Sequence, residues 1–262
     1  CLNLANTFIS RKINLSHAHL IIVSEELARK GIKGYMHAIN RGRELRGGMM
    51  FAVCKCSAEE YLNSLQPPLE SNPRKHYELL HKAFEYTGFT AEIDFLNFYL
   101  NSESTCIQPT AVLANISKYQ TSEEFKLEDS TFMQKGREEP LGGDYIAGNI
   151  PQASEWKNQR MGLAVFRDET MVGELDGQES MLHTIIHDEF VRSYVTIDDP
   201  IEKNKYIVLN LSRGRDTVKK VKIEDGKPRI SVKVNLEADI VSIQSDINYE
   251  QVGKLSKLES HF

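Results

Sequence analysis

His183 and His187, four residues apart and followed by Asp188 and Glu189, put two imidazoles on one helix face at the spacing a zinc site uses. A metalloprotease would carry its general-base glutamate directly after the first histidine. Thr184 stands there instead, so the proton acceptor is missing and the two rings are read as structural. His17 and His19 would share one face of a strand, and would make a second metal pair only if a carboxylate converged on them. Cys54 and Cys56 are the one close pair among 4 cysteines. They are read as small buried residues on one face of the strand entered at Met49, because a metal would need further ligands that the sequence does not place. No Gly-x-Ser-x-Gly turn is present to present a nucleophile. The run Gly142-Gly-Asp-Tyr-Ile-Ala-Gly148 lacks both the lysine and the strand-before-helix setting of a phosphate loop. No catalytic residue, cofactor or metal is therefore assigned, and an enzyme is not expected.

What remains is chemistry for recognition. Arg41, Arg43 and Arg46, with Glu44 among them, lie between a helix end and a strand. Their charges can offset a helix C-terminal dipole, or grip a carboxylate or phosphate through paired hydrogen bonds. Glu25 and Glu26 open a helix, where negative charge is favoured. Gly173 sits inside a strand, where it marks a bulge or a close backbone approach by a partner. Arg41, Arg43, Arg46, Glu25 and Gly173 are the candidate interaction residues.

The elements that must hold them read as an α+β protein. At 262 residues and 40% hydrophobic content the chain can fill real cores. A net charge of -5 gives no basic excess for nucleic acid. The longest apolar runs, Leu20 to Val23 and Met49 to Val53, fall far short of the roughly 20 residues of a membrane helix. From His17 to Leu65 the pattern is strand, helix, strand, helix, the second helix opened by a capping box of Ser57 and Glu60. The short crossover favours parallel pairing of the strands around Leu20 and Phe51. Pro67-Pro68 ends that helix, and Asn72-Pro73 starts another that runs through Tyr77, Leu80 and Phe84 to Gly88. A further helix spans about Glu92 to Leu100, and Thr110 to Ile116 reads as another strand of the same sheet.

Residues 118 to 149 are polar, acidic and rich in glycine, including Gly136, Gly142, Gly143 and Gly148, and mark a boundary. After Lys157 the chain turns strand-rich. Met161 to Gly177 is a hairpin whose turn is Arg167-Asp-Glu169. Strands follow at Phe190 to Ile197, Tyr206 to Leu211, Thr217 to Ile223 and Ile230 to Leu236, with turns at Asp198-Asp-Pro200 and Asp225-Gly226. Alternation in Ser231 to Leu236 points to one wet face and a mostly antiparallel sheet. The expected organisation is an N-terminal domain over 1–152 with a mixed sheet flanked by helices, a smaller strand-rich domain over 153–240, and the start of a further domain over 241–262. Leu2, Leu4, Ala5, Phe8 and Ile9 stand at helical spacing behind Cys1, and a Lys-rich helical pattern begins after Ile247, so both ends read as cut.

Three stretches carry a distinctive wording. The hairpin pairs Gly162-Leu-Ala-Val-Phe-Arg-Asp168 with Met171-Val-Gly-Glu-Leu-Asp-Gly177. Ser16-His-Ala-His-Leu-Ile-Ile-Val-Ser-Glu-Glu-Leu-Ala-Arg-Lys-Gly31 is a strand running into a helix. Arg41-Gly-Arg-Glu-Leu-Arg46 precedes the strand Met49 to Val53 and the helix opener Ser57-Ala-Glu-Glu60. In their order along the chain they resemble the C subunits of spore germinant receptors, the Ger(x)C family of spore germination lipoproteins. The resemblance runs over nearly the whole chain and carries fold signatures, not a catalytic motif. It implies a non-enzymatic subunit of a nutrient germinant receptor that works with integral-membrane A and B subunits. It also implies a lipid anchor on a cysteine upstream of Cys1, a place on the outer face of the spore inner membrane, and a third domain beyond Phe262. The alternative reading is an extracytoplasmic solute-binding module that holds the germinant directly.

Overall fold

The computed structural model describes residues 4, 6–10, 12–42, 45–64, 72–118, 145–150 and 157–261. Cys1, Arg43, Glu44, Pro67, Pro68, Gly136, Gly142 and Gly143 lie outside the described residues. The chain forms two compact units, Cys1–Lys82 with Glu92–Ser180, and Ala83–Ala91 with Met181–Phe262.

The first unit is built on a five-stranded mixed sheet in the order β1-β2-β3-β4-β5. Its strands are β1 (Leu20–Ser24), β2 (Met50–Cys54), β3 (Thr110–Ile116), β4 (Asn158–Arg167) and β5 (Thr170–Leu175). β1 pairs parallel with β2, Ile21 facing Phe51, and β2 pairs parallel with β3. β4 runs antiparallel to both of its neighbours, β3 and β5. Every residue of β2 is buried, as a central strand covered on both faces must be. Helices α1 (Glu25–Lys30) and α2 (Lys33–Arg41) carry the chain from β1 to β2. Ser24 caps α1 by accepting from Leu27 N at 3.3 Å, and Glu25 and Glu26 fill its first turn. Three rings knit the sheet to its covering helix: Phe51 to Phe98 at 4.4 Å between centroids, and Phe98 to Phe166 edge-on at 4.9 Å.

The helical reading is met in part. Ser57 stands at the N-terminus of α3 (Ala58–Asn63), but its side chain makes no capping hydrogen bond, so the expected capping box is not formed. Asn72 caps α4 (Pro73–His81) with Pro73 in its first turn, as expected. The single helix expected to reach Gly88 is two, because α4 stops at His81 and α5 (Phe84–Thr87) belongs to the second unit. There the Thr87 carbonyl accepts from Ser193 Oγ at 2.6 Å, and Gly88, at φ 70, ends the turn. α6 (Phe95–Ser102) starts later than expected because the Asp94 side chain accepts from Asn97 N and sets the cap there.

The hairpin is where the structure departs most from the expected division. The sequence places it in the strand-rich domain from 153, whereas β4 lies beside β3 in the first sheet, with Ala111 facing Ala164. β3 offers an open apolar edge that β4, itself buried at Leu163, Ala164 and Phe166, completes. The turn is Asp168-Glu169, with Asp168 left-handed at φ 53. Gly162, at φ 92, could carry no side chain, since a Cβ there would lie 2.5 Å from the Leu175 carbonyl oxygen.

The second unit holds α7 (Gly177–Ile186) from Met181 onward and a three-stranded antiparallel sheet, β10-β7-β6. These strands are β6 (Arg192–Asp198), β7 (Tyr206–Arg213) and β10 (Leu236–Ile243). β8 (Val218–Glu224) and β9 (Lys227–Lys233) form a separate two-stranded ribbon joined at Asp225-Gly226. The expected strand Ile230 to Leu236 is thus divided, its end opening β10. β7 alternates, so Ile207, Leu209 and Leu211 point into a core shared with Ile185, Phe190, Tyr249 and Leu258. Leu258 comes from α8 (Val252–His261), so residues after 241 contribute to this core. No helix among the described residues is long and apolar enough to cross a membrane.

Candidate functional site

The residues singled out for recognition do not converge. Glu25 is held by its own helix, its Oε1 accepting from Arg29 Nε at 2.7 Å. Arg41 closes α2 and Arg46 stands in the loop before β2; both are exposed, and no ion pair ties either to Glu25 among the described residues. Arg43 lies outside the described residues. Gly173 faces Val165 in register, next to a shift that leaves Val172 as the extra residue of β5. A Cβ there would meet nothing within 4 Å.

The metal pairs suggested by spacing are not donor clusters among the described residues. The His183 and His187 rings stack, 4.3 Å between centroids and 25° apart, which aligns their faces rather than their lone pairs. Burial, then the neighbouring His187, drives the His183 imidazole down to about 4. His17 and His19 precede β1 instead of sharing it, because the strand begins at Leu20. They line an apolar groove of ≈ 590 Å³ with Leu20, Ile39, Leu45 and Tyr77. Partial burial and the charges of Arg74 and Arg46 hold the His19 imidazole below its ordinary value. β2 ends at Cys54, so Cys56 is beyond the strand and its amide donates to Cys54 Sγ at 3.3 Å. Burial pushes the Cys54 thiol up, away from the thiolate that a ligand or nucleophile needs.

Three sites that no spacing announced are present. In the first, Asp199, buried in the second unit, accepts from Ser245 Oγ at 2.6 Å, from Tyr249 Oη, and from the amides of Ile201 and Glu202 at 2.8 and 3.1 Å. Burial works to raise its carboxyl, but these four donors outweigh it and hold the group at about 2.

In the second, the Arg160 guanidinium is enclosed on β4, and among the described residues neither Nη atom nor the enclosed hydroxyls of Tyr61 and Tyr77 have a hydrogen-bond partner. Burial lowers Arg160, raises Tyr61, and lifts Tyr77 to about 12.

The third gathers ligating groups. Lys33 and His37 project from one face of α2, four residues apart. Glu169 comes from the hairpin turn and Glu103 from the C-terminal end of α6. His37 Nε2 lies 3.3 Å from Glu103 Oε1 and 4.0 Å from Glu169 Oε1, and Lys33 Nζ is 3.4 Å from Glu169 Oε1. The Glu169 carbonyl accepts from Ile32 N at 3.0 Å, which seats the hairpin tip on the start of α2. Among the described residues, His37 Nε2 and His183 Nδ1 have no hydrogen-bond partner.

Comparison with known proteins adds what the side chains do not. Residues 1–118 match the family model for the spore germination protein N-terminal domain. Residues 161–262 match the model described as spore germination B3/GerAC like, C-terminal. No curated protein matches the chain. A solved structure, the crystal structure of the GerBC protein, is similar over 99% of this chain with a TM-score of 0.55 and 13% identity. That likeness is one of fold, a mixed sheet with helices followed by an antiparallel strand-rich region. The chain spans 63% of the length of that protein.

Proposed function

Because this chain belongs to the GerAC-like family of spore germination proteins, the C subunits of germinant receptors, we propose that it serves a nutrient germinant receptor as a non-enzymatic subunit. It acts by assembling with membrane-embedded A and B subunits, on the outer face of the spore inner membrane, where a lipidated cysteine of the full-length protein holds it. The observation that carries this reading is the presence of both family domains, in order, in one chain. The side-chain chemistry supports a contact role. Arg41 and Arg46 are exposed and suited to meet acidic groups of a partner, and the cysteine of β2 is a buried thiol, not a nucleophile.

A second reading, direct binding of a small nutrient, is favoured by Arg160. A guanidinium with both Nη atoms unbonded is the natural partner of a carboxylate. The two readings separate in one experiment. The tagged full-length protein is followed through sporulation, the spore inner membrane is isolated, and detergent extracts are pulled down. Recovery in that membrane with polytopic partners is the expected result. A soluble, solitary protein that a carboxylate nutrient stabilises against heat would instead put direct binding first.

A further inference from the structure

We propose that His37, Glu103 and Glu169 form a binding site for one divalent transition-metal ion of the zinc class. The three donor atoms lie within 4.8 Å of one another, with separations of 3.3 and 4.0 Å from the imidazole nitrogen to the two carboxylate oxygens. Tetrahedral zinc, with bonds of about 2.0–2.2 Å, sets its donors about 3.3–3.6 Å apart. The donors therefore stand close to the spacing that the ion requires.

Two of the groups have unmet needs that an ion would answer. His37 Nε2 is closed off from solvent and has no hydrogen-bond partner among the described residues, which is unusual for a buried polar atom. The Glu169 side chain is 7% exposed, and a buried carboxylate requires a cation. Its nearest cation is Lys33, whose side chain is 69% exposed and reaches only to 3.4 Å. Such an ammonium can withdraw into water at little cost, so Lys33 acts as the stand-in that neutralises Glu169 when no ion is bound, and as its competitor.

The donors are also held on rigid elements. The hairpin tip is fixed at both of its residues, Asp168 N donating to Gln108 Oε1 at 2.9 Å and Ile32 N to the Glu169 carbonyl at 3.0 Å. The His37 ring lies edge-on to Tyr99 at 5.7 Å, and the Glu103 amide closes α6 on the Tyr99 carbonyl at 3.2 Å. A cleft of ≈ 450 Å³ that Lys33, Glu103, Gln108 and Glu169 line gives an ion its entry and leaves room for water as a fourth ligand. One imidazole with two carboxylates suits Zn²⁺ and its neighbours in the transition series. Mg²⁺ and Ca²⁺ call for six or more oxygens and are not expected to bind. A bound ion would tie the hairpin tip to α2 and α6. This inference does not depend on the germination reading.

The test uses the whole chain, stripped of metal with a chelator and titrated with ZnCl₂ by calorimetry, MgCl₂ and CaCl₂ serving as comparisons. One Zn²⁺ per chain is expected at this site. Affinity should fall by more than about tenfold in His37→Ala and in Glu169→Gln, since loss of a ligand costs at least as much as the roughly 10–100-fold effect of losing an outer partner. It should rise in Lys33→Ala, which removes the competitor and no ligand. His187→Ala should leave this binding step unchanged. Co²⁺ gives a second readout, with the visible bands of a tetrahedral site in the wild type and in Lys33→Ala, and none in His37→Ala. Absence of Zn²⁺ binding overturns the proposal. So does binding that survives in Glu169→Gln and is lost in His187→Ala, and so does a Lys33→Ala affinity no higher than that of the wild type.

Discussion

β2 and the β8–β9 ribbon are both rich in β-branched or large apolar residues, yet every residue of β2 is buried and every residue of β8 and β9 is exposed. The difference lies in what alternates. β2 reads Met-Phe-Ala-Val-Cys, apolar on both faces, and is enclosed by strands on either side. The ribbon places Val221, Ile223, Pro228, Ile230 and Val232 on one face and Lys220, Lys222, Lys227, Arg229 and Lys233 on the other. A strand pair with one charged face has no interior to join on that side, and in this chain its apolar face is open too, Ile223 being 78% and Ile230 68% exposed. Pairing and a tight Asp225-Gly226 turn suffice to form a ribbon, whereas burial decides how much each side chain contributes. The second unit's three-stranded sheet stands between these extremes, with alternate residues of β7 inside and a buried carboxylate at its edge.

The sharpest test of the comparison is Phe51→Ala. Phe51 is fully buried and meets Phe98 with the ring planes 46° apart, so its loss leaves a cavity in the centre of the first sheet. A stability loss of about 3–5 kcal/mol is expected from urea denaturation. A loss below about 1 kcal/mol would mean that the sheet is not close-packed and that the contrast with the ribbon is overdrawn.

Asp199 tests the middle case, where a polar group carries the packing. Asp199→Asn removes the charge that four donors share, and a loss of about 1–3 kcal/mol is expected at neutral pH. The sign of the pH dependence follows from the direction of the shift. The folded carboxyl sits at about 2, below its ordinary 3.8, so its contribution is complete above the ordinary value and disappears as pH falls toward about 2. Urea midpoints of wild type and Asp199→Asn should therefore converge over that window. If the gap between them is unchanged from neutral pH down to about 2, the carboxylate is not what Tyr249 and Ser245 are holding.

These positions also show what could be read in advance. The parallel pairing of β1 with β2 and the span of β3 follow from local patterns, apolar runs bounded by Ser24, Pro109 and the charged helix openings. The hairpin was legible as a hairpin, but its membership of the first sheet was not, because that depends on the open edge of β3, far away in sequence. Alternation in Ser231 to Leu236 promised one wet face, yet where it falls in β9 both are wet, since the pattern records polarity and not whether anything arrives to cover the apolar side. Asp199 read as a turn residue, which it is, but its partners Ser245 and Tyr249 come from beyond β10. The histidine pairs that spacing picked out were stacked rings or loop residues. The donors that do converge, His37, Glu103 and Glu169, come from α2, the end of α6 and a hairpin turn, and only the fold assembles them. The one local trace was Lys33 and His37 on a shared helix face, a spacing too common to single out.

The smallest expected effect is the most informative about the ribbon. Ile223→Thr and Ile230→Thr keep a β-branched shape and place a hydroxyl where the apolar face is already in contact with water. Each should change the stability of this chain by no more than about 0.5 kcal/mol, against several for Phe51→Ala. The same urea experiment measures both. Because Val221 faces Ile230 directly and Ile223 faces Pro228, a loss of more than about 1 kcal/mol would show that cross-strand contacts, not burial, hold the ribbon together. That result would reduce the contrast with β2 to one of degree, since strands exposed on both faces would then be drawing stability from the same apolar side chains that the central sheet encloses.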